Sequence, residues 1–182
     1  MAVRTIIKID TDLSRQVAEL IAAAVDRNEA IGLVGPISPE DYQDYLDDLL
    51  DQAVRGDAGV VAAIEAGAVL GSAQWTRSAY RTRRVFGEMD RVVVTPAQRG
   101  RGIGKQLVTA VVRDAQEHGI ELLGLEVRGN NHGAIALYED CGFGRTGKWE
   151  NAVAVGQDRH DVILMARELY RPPGVRLHGE SA

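Results

Sequence analysis

The 182-residue sequence contains a single cysteine, Cys141, so no disulfide can form within the chain. Small secreted domains commonly depend on disulfides, whereas thiols stay reduced inside cells. The sequence also lacks any long apolar run, both in its first ten residues, MAVRTIIKID, and further along. This absence argues against a secretory leader and against a membrane span. We therefore expect a cytoplasmic protein that has no membrane partner.

Positive charge is in the minority, with 21 Lys and Arg residues against 26 Asp and Glu, which gives a formal net charge of −5. A chain of this sign is poorly suited to nonspecific binding of nucleic-acid phosphates. Cys141 has no partner at the spacing of a metal site and suits a small core position. We expect neither a nucleic-acid partner nor a bound metal.

An ordered series of strand and helix patterns is present, without internal repeats. The length suits one domain with its own core, placed at residues 1–170; the tail, residues 171–182, is expected to be disordered. Apolar runs predict strands at residues 3–10, 59–65, 68–76, 85–94, 122–127, 143–155 and 159–168. Helical spacing predicts helices over 13–27, 38–53 and 103–115, and after residue 131. The order predicts a mixed α/β sheet with helices on both sides.

The stretch of residues 87–106 joins a strand to a helix through a basic, glycine-rich turn. The strand contains Val92, Val93 and Val94, and Thr95-Pro96 ends it because proline has no N–H to donate. Glycines then alternate with basic residues in the order Arg99, Gly100, Arg101, Gly102, Ile103, Gly104 and Lys105. Unpaired N–H groups and the helix dipole favour an anion at such a helix start.

The glycine spacing excludes two common phosphate-binding patterns. A P-loop would place its first glycine at position 99, which is Arg, and a Ser or Thr at position 106, which is Gln. A dinucleotide fingerprint that starts at Gly100 would end at Lys105, and one that starts at Gly102 would end at Leu107. Neither a P-loop nor a dinucleotide fold is therefore indicated.

The pattern Arg99-x-x-Gly102-x-Gly104 resembles the pyrophosphate loop of the GCN5-related N-acetyltransferase (GNAT) family. A second stretch, Asn131-x-x-Ala134-Ile135-x-Leu137-Tyr138-Glu139-x-x-Gly142-Phe143, resembles the family's second signature. The resemblance covers most of the chain. It implies a GNAT fold, in which a mostly antiparallel sheet splays apart at a cofactor cleft.

The resemblance implies acetyl-CoA as the acetyl donor, bound between the strands that end at Val94 and Val127. Its pantetheine would bond to backbone near Val92 and Val94 as an added strand, and its diphosphate would lie on the amides of the glycine-rich turn. The cofactor-binding residues implied are Val92, Val93, Val94, Arg99, Gly100, Arg101, Gly102, Ile103, Gly104, Lys105, Asn131, Ala134 and Tyr138.

Acetyl transfer to an amine needs a base for the amine proton, donors for the oxyanion, and a proton for the leaving thiolate. Glu88 lies eleven residues before Arg99, where a frequent general base of the family falls. Asp90 lies on the same strand face and is the reserve candidate. Tyr138 matches the family tyrosine that protonates the thiolate. A surface role for Glu88 and a packing role for Tyr138 are the alternatives.

Several other residues allow a functional and a plain interpretation. The aspartates of the second helix and the basic loop of residues 77–84 are favoured as solvated surface. His160-Asp161 could form a base and its orienting partner, but adjacent strand residues point opposite ways. Trp75 and Trp149 suit either the acceptor pocket or the core.

Three functions remain after these observations. The first is an acetyl-CoA-dependent N-acetyltransferase for a small amine such as an amino-acid-like toxin, an antibiotic or a polyamine. The second is an acetyltransferase for protein N-termini or lysines, and the third is a non-catalytic CoA-binding module. The sequence leaves the oligomeric state open, and a homodimer is compatible with it.

Overall fold

The computed structural model describes residues 1–6, 11–33 and 35–175. Its strands are β1 Ala2–Ile6, β2 Ala58–Glu65, β3 Ala68–Arg77, β4 Phe86–Val94, β5 Leu122–Arg128, β6 Gly144–Val155 and β7 Asp158–Glu168. Its helices are α1 Thr11–Asp26, α2 Pro39–Val54, α3 Ile103–Glu117 and α4 His132–Asp140. The end of the predicted first strand, residues 7–10, and most of the predicted tail, residues 176–182, lie outside the described residues.

The strands form one sheet in the order β1-β2-β3-β4-β5-β7-β6. Each neighbouring pair is antiparallel except β4 and β5, which are parallel. These two strands pair only at their starts, where Phe86–Glu88 lies beside Leu122–Gly124. Beyond Glu88 the strands separate and leave an opening in the middle of the sheet. The predicted mixed, mostly antiparallel fold with a splayed centre is confirmed.

Local sequence signals set the ends of the helices. Ser38 caps α2: its side chain accepts from the Asp41 amide while the Asp41 carboxylate accepts from the Ser38 amide, and Pro39 occupies the first helical position. Gly102, at a φ of 74°, precedes α3, and Gly119, at a φ of 76°, follows its end. A left-handed backbone at these positions favours glycine.

Two apolar cores lie on opposite faces of the sheet. Helices α3 and α4 cover one face, where Leu107, Val111 and Ile135 pack against Met89 and Leu125. Helices α1 and α2 cover the other face with the second core. Alternate residues of the central strands therefore point into different cores. Among the described residues, no helix is long and apolar enough to cross a membrane.

Candidate active site

A cleft of about 560 Å³ opens where β4 and β5 separate. The β4 side supplies Glu88 to Val92, and the β5 side supplies Glu126 to Arg128. The segment after α1, residues 29–33, closes one side, and β6 and β7 close the other. Four residues of the predicted cofactor set line this cleft, namely Val92, Asn131, Ala134 and Tyr138.

The glycine-rich turn lies at the end of β4 and presents a run of free amides. Among the described residues, no acceptor is bonded to the N–H groups of residues 100–105. Gly100 and Gly102 hold positive φ angles of 77° and 74°, which turn these amides outward from the chain. This arrangement is suited to a phosphate or diphosphate at the start of α3.

Some predicted cofactor residues can contribute only their backbone. The side chain of Ile103 is 1% exposed in the core beneath α3, and that of Val93 is buried in the core of α1 and α2. Gly104 faces α4, because a Cβ atom there would lie 3.1 Å from Leu137 Cδ2. The prediction that the backbone carries recognition at the turn therefore agrees with these placements.

The arginines of the turn already have partners within the protein. Arg99 donates from Nε to the Val94 carbonyl at 3.1 Å, and its Nη2 lies 2.7 Å from Glu29 Oε2. Arg101 lies 3.3 Å from Glu65 on the surface. Pantetheine was expected to bond to backbone near Val92 and Val94, and the Val94 carbonyl already accepts from Arg99.

Four carboxylates line the same cleft, namely those of Glu29, Glu88, Asp90 and Glu126. Met89, Leu125 and Val127 point into the core beneath α3. Because adjacent residues of a strand point to opposite faces, Glu88 and Glu126 point away from that core. Burial, and then the nearby charge of Glu88, raises the pKa of Glu126. Sequence reasoning missed Glu126, although the alternation of Leu123, Leu125 and Val127 indicated its direction.

Asp90 sits deeper than Glu88 and is held in a polar network. Its Oδ2 accepts from Arg91 Nη1 at 2.6 Å, while Oδ1 is buried without a hydrogen-bond partner among the described residues. Burial raises the pKa of Asp90, and the Arg91 charge partly opposes that shift. A buried unpaired oxygen beside a cleft is a common mark of a functional group.

Arg91 connects this carboxylate to α2, and sequence reasoning missed it. Its φ of 48° marks a bulge in β4, where the register with β3 shifts. Arg91 Nη1 donates to the Tyr45 hydroxyl at 2.9 Å, and the guanidinium lies 4.6 Å from the centre of that ring. Gln74 links the two tyrosines, since it accepts from Tyr42 and donates to Tyr45.

Tyr138 reaches the cleft from α4. It is 9% exposed and packs edge-on against Phe143, with the ring centres 6.1 Å apart. Burial, followed by the charge of Asp90, raises the pKa of Tyr138 to about 12, so the phenol keeps its proton. Asn131 positions the helix, because its side chain accepts from the Ala134 amide at 3.3 Å.

The remaining candidates separate into cleft wall and scaffold. Trp149 is 51% exposed and lines the cleft, whereas Trp75 is fully buried in the core. Asp161 is not paired with His160: it accepts from the Asn151 amide at 3.0 Å and lies 3.3 Å from Lys148. These contacts hold the bulge of β6 that follows Trp149.

The basic loop and the acidic helix face lie away from the cleft. Arg77 and Arg84 both bind Asp57, at the end of β4 opposite the glycine-rich turn. A role for this loop at the cofactor phosphate is therefore not supported. Asp47 accepts from Gln43 along the surface of α2.

The model of the acetyltransferase (GNAT) family matches residues 25–143. The chain belongs to this family. It is 36% identical to ribosomal protein bS18-alanine N-acetyltransferase of Salmonella typhimurium over 75 residues, 41% of this chain and 51% of the relative. It is 33% identical to mycothiol acetyltransferase of Propionibacterium freudenreichii over 135 residues, 74% of this chain and 40% of the relative. The alignments thus span about half or less of these curated GNAT relatives.

A solved structure shares the whole fold. It is yncA of Salmonella typhimurium, determined with its cofactor acetyl-CoA, and it superimposes with a TM-score of 0.83 at 20% identity. The match covers 97% of this chain and 98% of that one. At 20% identity, this similarity establishes only that the two proteins share the GNAT fold.

Proposed function

We propose that this chain is an N-acetyltransferase that takes an acetyl group from acetyl-CoA and transfers it to the primary amine of a small molecule. The observation that carries the proposal is the run of backbone N–H groups without acceptors at residues 100–105. These groups follow the end of β4, which is no longer paired with β5 beyond Glu88. Family membership and the acetyl-CoA bound to the yncA structure support the choice of donor.

The cofactor runs along the open edge of β4. Its diphosphate lies on the amides of residues 100–105, and its pantetheine follows the backbone from Val94 towards Met89. This path brings the thioester to the part of the cleft that contains Tyr138 and Asp90. The acceptor approaches from the other side of the cleft, lined by residues 29–33 and by Trp149.

The reaction is a direct attack within a ternary complex. A carboxylate of the cleft accepts a proton from the ammonium, and Glu88 is the residue to which we assign this step. The neutral nitrogen then bonds to the thioester carbon, and backbone N–H groups of β4 stabilise the oxyanion. The carbon–sulfur bond breaks as the Tyr138 hydroxyl protonates the leaving sulfur, and the surplus proton that the acetylated nitrogen still carries restores the Tyr138 hydroxyl.

The walls on two sides of the cleft favour a small acceptor. Its volume of about 560 Å³ is bounded on one side by residues 29–33 and on the other by β6 and β7. A protein N-terminus is the second candidate, supported by the likeness to an enzyme that its name assigns to the alanine of ribosomal protein bS18. That substrate would need an open groove for the following residues.

Turnover of acetyl-CoA with a panel of acceptors tests the proposal. Thiol release is measured with amino acids, polyamines and a peptide that begins with alanine, each at several concentrations. We expect release with small amines, and slower release by Glu88→Gln with the same affinity for CoA. CoA uptake without any amine-dependent thiol release would instead identify a binding module.

A further inference from the structure

The segment that closes the cleft is attached to the glycine-rich turn by one side chain. Glu29, three residues after α1, lies 2.7 Å from Arg99 Nη2 through Oε2 and 2.8 Å from Arg27 Nε through Oε1. Its side chain is 19% exposed. Burial acts to raise the pKa of Glu29, but Arg99 and then Arg27 lower it overall, so the carboxylate is ionised at neutral pH.

Arg99 is held at two points by this arrangement. Besides the ion pair with Glu29, its Nε donates to the Val94 carbonyl, the last residue of β4. In the chain, Arg99 directly precedes the amides of residues 100–105, which are suited to a diphosphate. A diphosphate that draws in Arg99 must therefore compete with Glu29, and the movement of Arg99 would also free the Val94 carbonyl.

We propose that Glu29 is a positioning residue that competes with the cofactor diphosphate for Arg99, and that cofactor binding breaks this ion pair and releases residues 29–33 from the turn. The proposal rests on the proposed function for the identity of the diphosphate ligand. Because residues 29–33 line the acceptor side of the cleft, their release couples the two sites.

The ion pair on the other side of the turn does not offer the same coupling. Arg101 and Glu65 are both exposed and lie 3.3 Å apart, and Glu65 belongs to β2 rather than to the cleft wall. Loss of that pair changes the charge near the turn without releasing any residue that lines the cleft.

Calorimetric titration with coenzyme A tests the competition. We expect Glu29→Gln to bind CoA about threefold more tightly, the size expected for a partly exposed ion pair, while its melting temperature stays equal or falls. The matched control is Asp26→Asn, which removes the same charge nearby without contacting Arg99. In an Arg99→Gln background, Glu29→Gln should have no further effect on affinity.

Hydrogen exchange of the amides of residues 29–33 tests the release. In the wild type, CoA should increase their exchange, and in Glu29→Gln they should exchange quickly with or without CoA. Unchanged or weaker CoA affinity in Glu29→Gln, equal tightening in Asp26→Asn, or CoA-induced protection of these amides would each overturn the inference. If neither the wild type nor Glu29→Gln binds CoA, the proposed function is overturned as well.

Discussion

The indole Nε1 of Trp75 donates to Asp114 Oδ2 at 2.6 Å, which joins β3 to α3 inside the core. Both side chains are buried, so the bond satisfies a carboxylate and an indole that water cannot reach. The pair has room only because β2 carries a glycine beside it. A Cβ atom on Gly59 would lie 2.1 Å from Asp114 Oδ2 and 2.3 Å from Trp75 Nε1.

The first prediction is that Gly59→Ala lowers the stability of the fold. The added methyl group must displace the indole or the carboxylate, and overpacking of this kind costs about 1–3 kcal/mol. Urea unfolding measures the change in the free energy of unfolding. Gly133→Ala is the control, because a Cβ atom there meets no atom within 4 Å and α4 gains a better helix former. Equal stability of wild type and Gly59→Ala would contradict the prediction.

Much of the fold could be predicted because its signals are local. The stop at Thr95-Pro96 and the spacing of apolar residues act within a few positions, and β4 (Phe86–Val94) and α2 (Pro39–Val54) lie within one residue of their predicted bounds. The burial of Trp75 and the 36% exposure of Tyr45 could not be predicted, because each depends on contacts between distant elements.

Sequence motifs indicated part of the candidate site, whereas the part that depends on a β-bulge carried no motif. The turn of residues 99–105 and Tyr138 follow motif positions, and Tyr138 does line the cleft. Arg91 carries no signal of its own, because its φ of 48° arises from the register shift between β3 and β4. The pairing of Arg99 with Glu29 joins residues 70 positions apart, which no local pattern reveals.

The second prediction concerns the proton that the thiolate receives. Tyr138→Phe should lower kcat by about 10- to 100-fold, at the low end for loss of a general acid, and leave the affinity for CoA unchanged. Since the pKa of Tyr138 is raised to about 12, its proton is lost only as pH rises towards that value. The ionisation of Tyr138 should therefore cause no change in turnover near neutral pH. Thiol release and calorimetry measure the two effects. A parallel loss of CoA affinity would indicate a packing role.

The third prediction separates two glycines of the turn. Gly102→Ala should weaken CoA binding by about tenfold, because a side chain at a φ of 74° costs about 1–2 kcal/mol and the backbone would turn its amides away. Gly104→Ala is the control, because the added methyl group contacts only the end of the Leu137 side chain, which can move, and the turn stays intact. Calorimetry with CoA compares them, and equal weakening in both would contradict the role of the backbone. Gly102→Asp should abolish binding, because it adds a negative charge beside the diphosphate as well as a side chain at a left-handed φ.

The fourth prediction concerns the electrostatic repulsion between the carboxylates of Glu88 and Glu126 in the cleft. Burial and the charge of Glu88 raise the pKa of Glu126 above its ordinary 4.5, so the folded chain holds this proton more tightly than the unfolded chain. The ionised side chain therefore destabilises the fold as pH rises through the raised pKa, whereas below the ordinary value both states are protonated and the effect vanishes. Glu126→Gln should raise the melting temperature by about 1–2 °C at pH 7, a small change because the side chain is only partly buried and solvent screens its charge.

The pH dependence and a second variant distinguish repulsion from packing. At pH 3 and below the melting temperatures of wild type and Glu126→Gln should converge, because Glu126 is then protonated in both the folded and the unfolded chain. In a Glu88→Gln background the gain at pH 7 should shrink, since one source of the raised pKa is gone. A gain of the same size at both pH values would mean that Gln simply packs better at this position. Under the proposed function, a cationic amine bound between Glu88 and Glu126 would relieve this repulsion, so the cleft would give up stability to favour its acceptor.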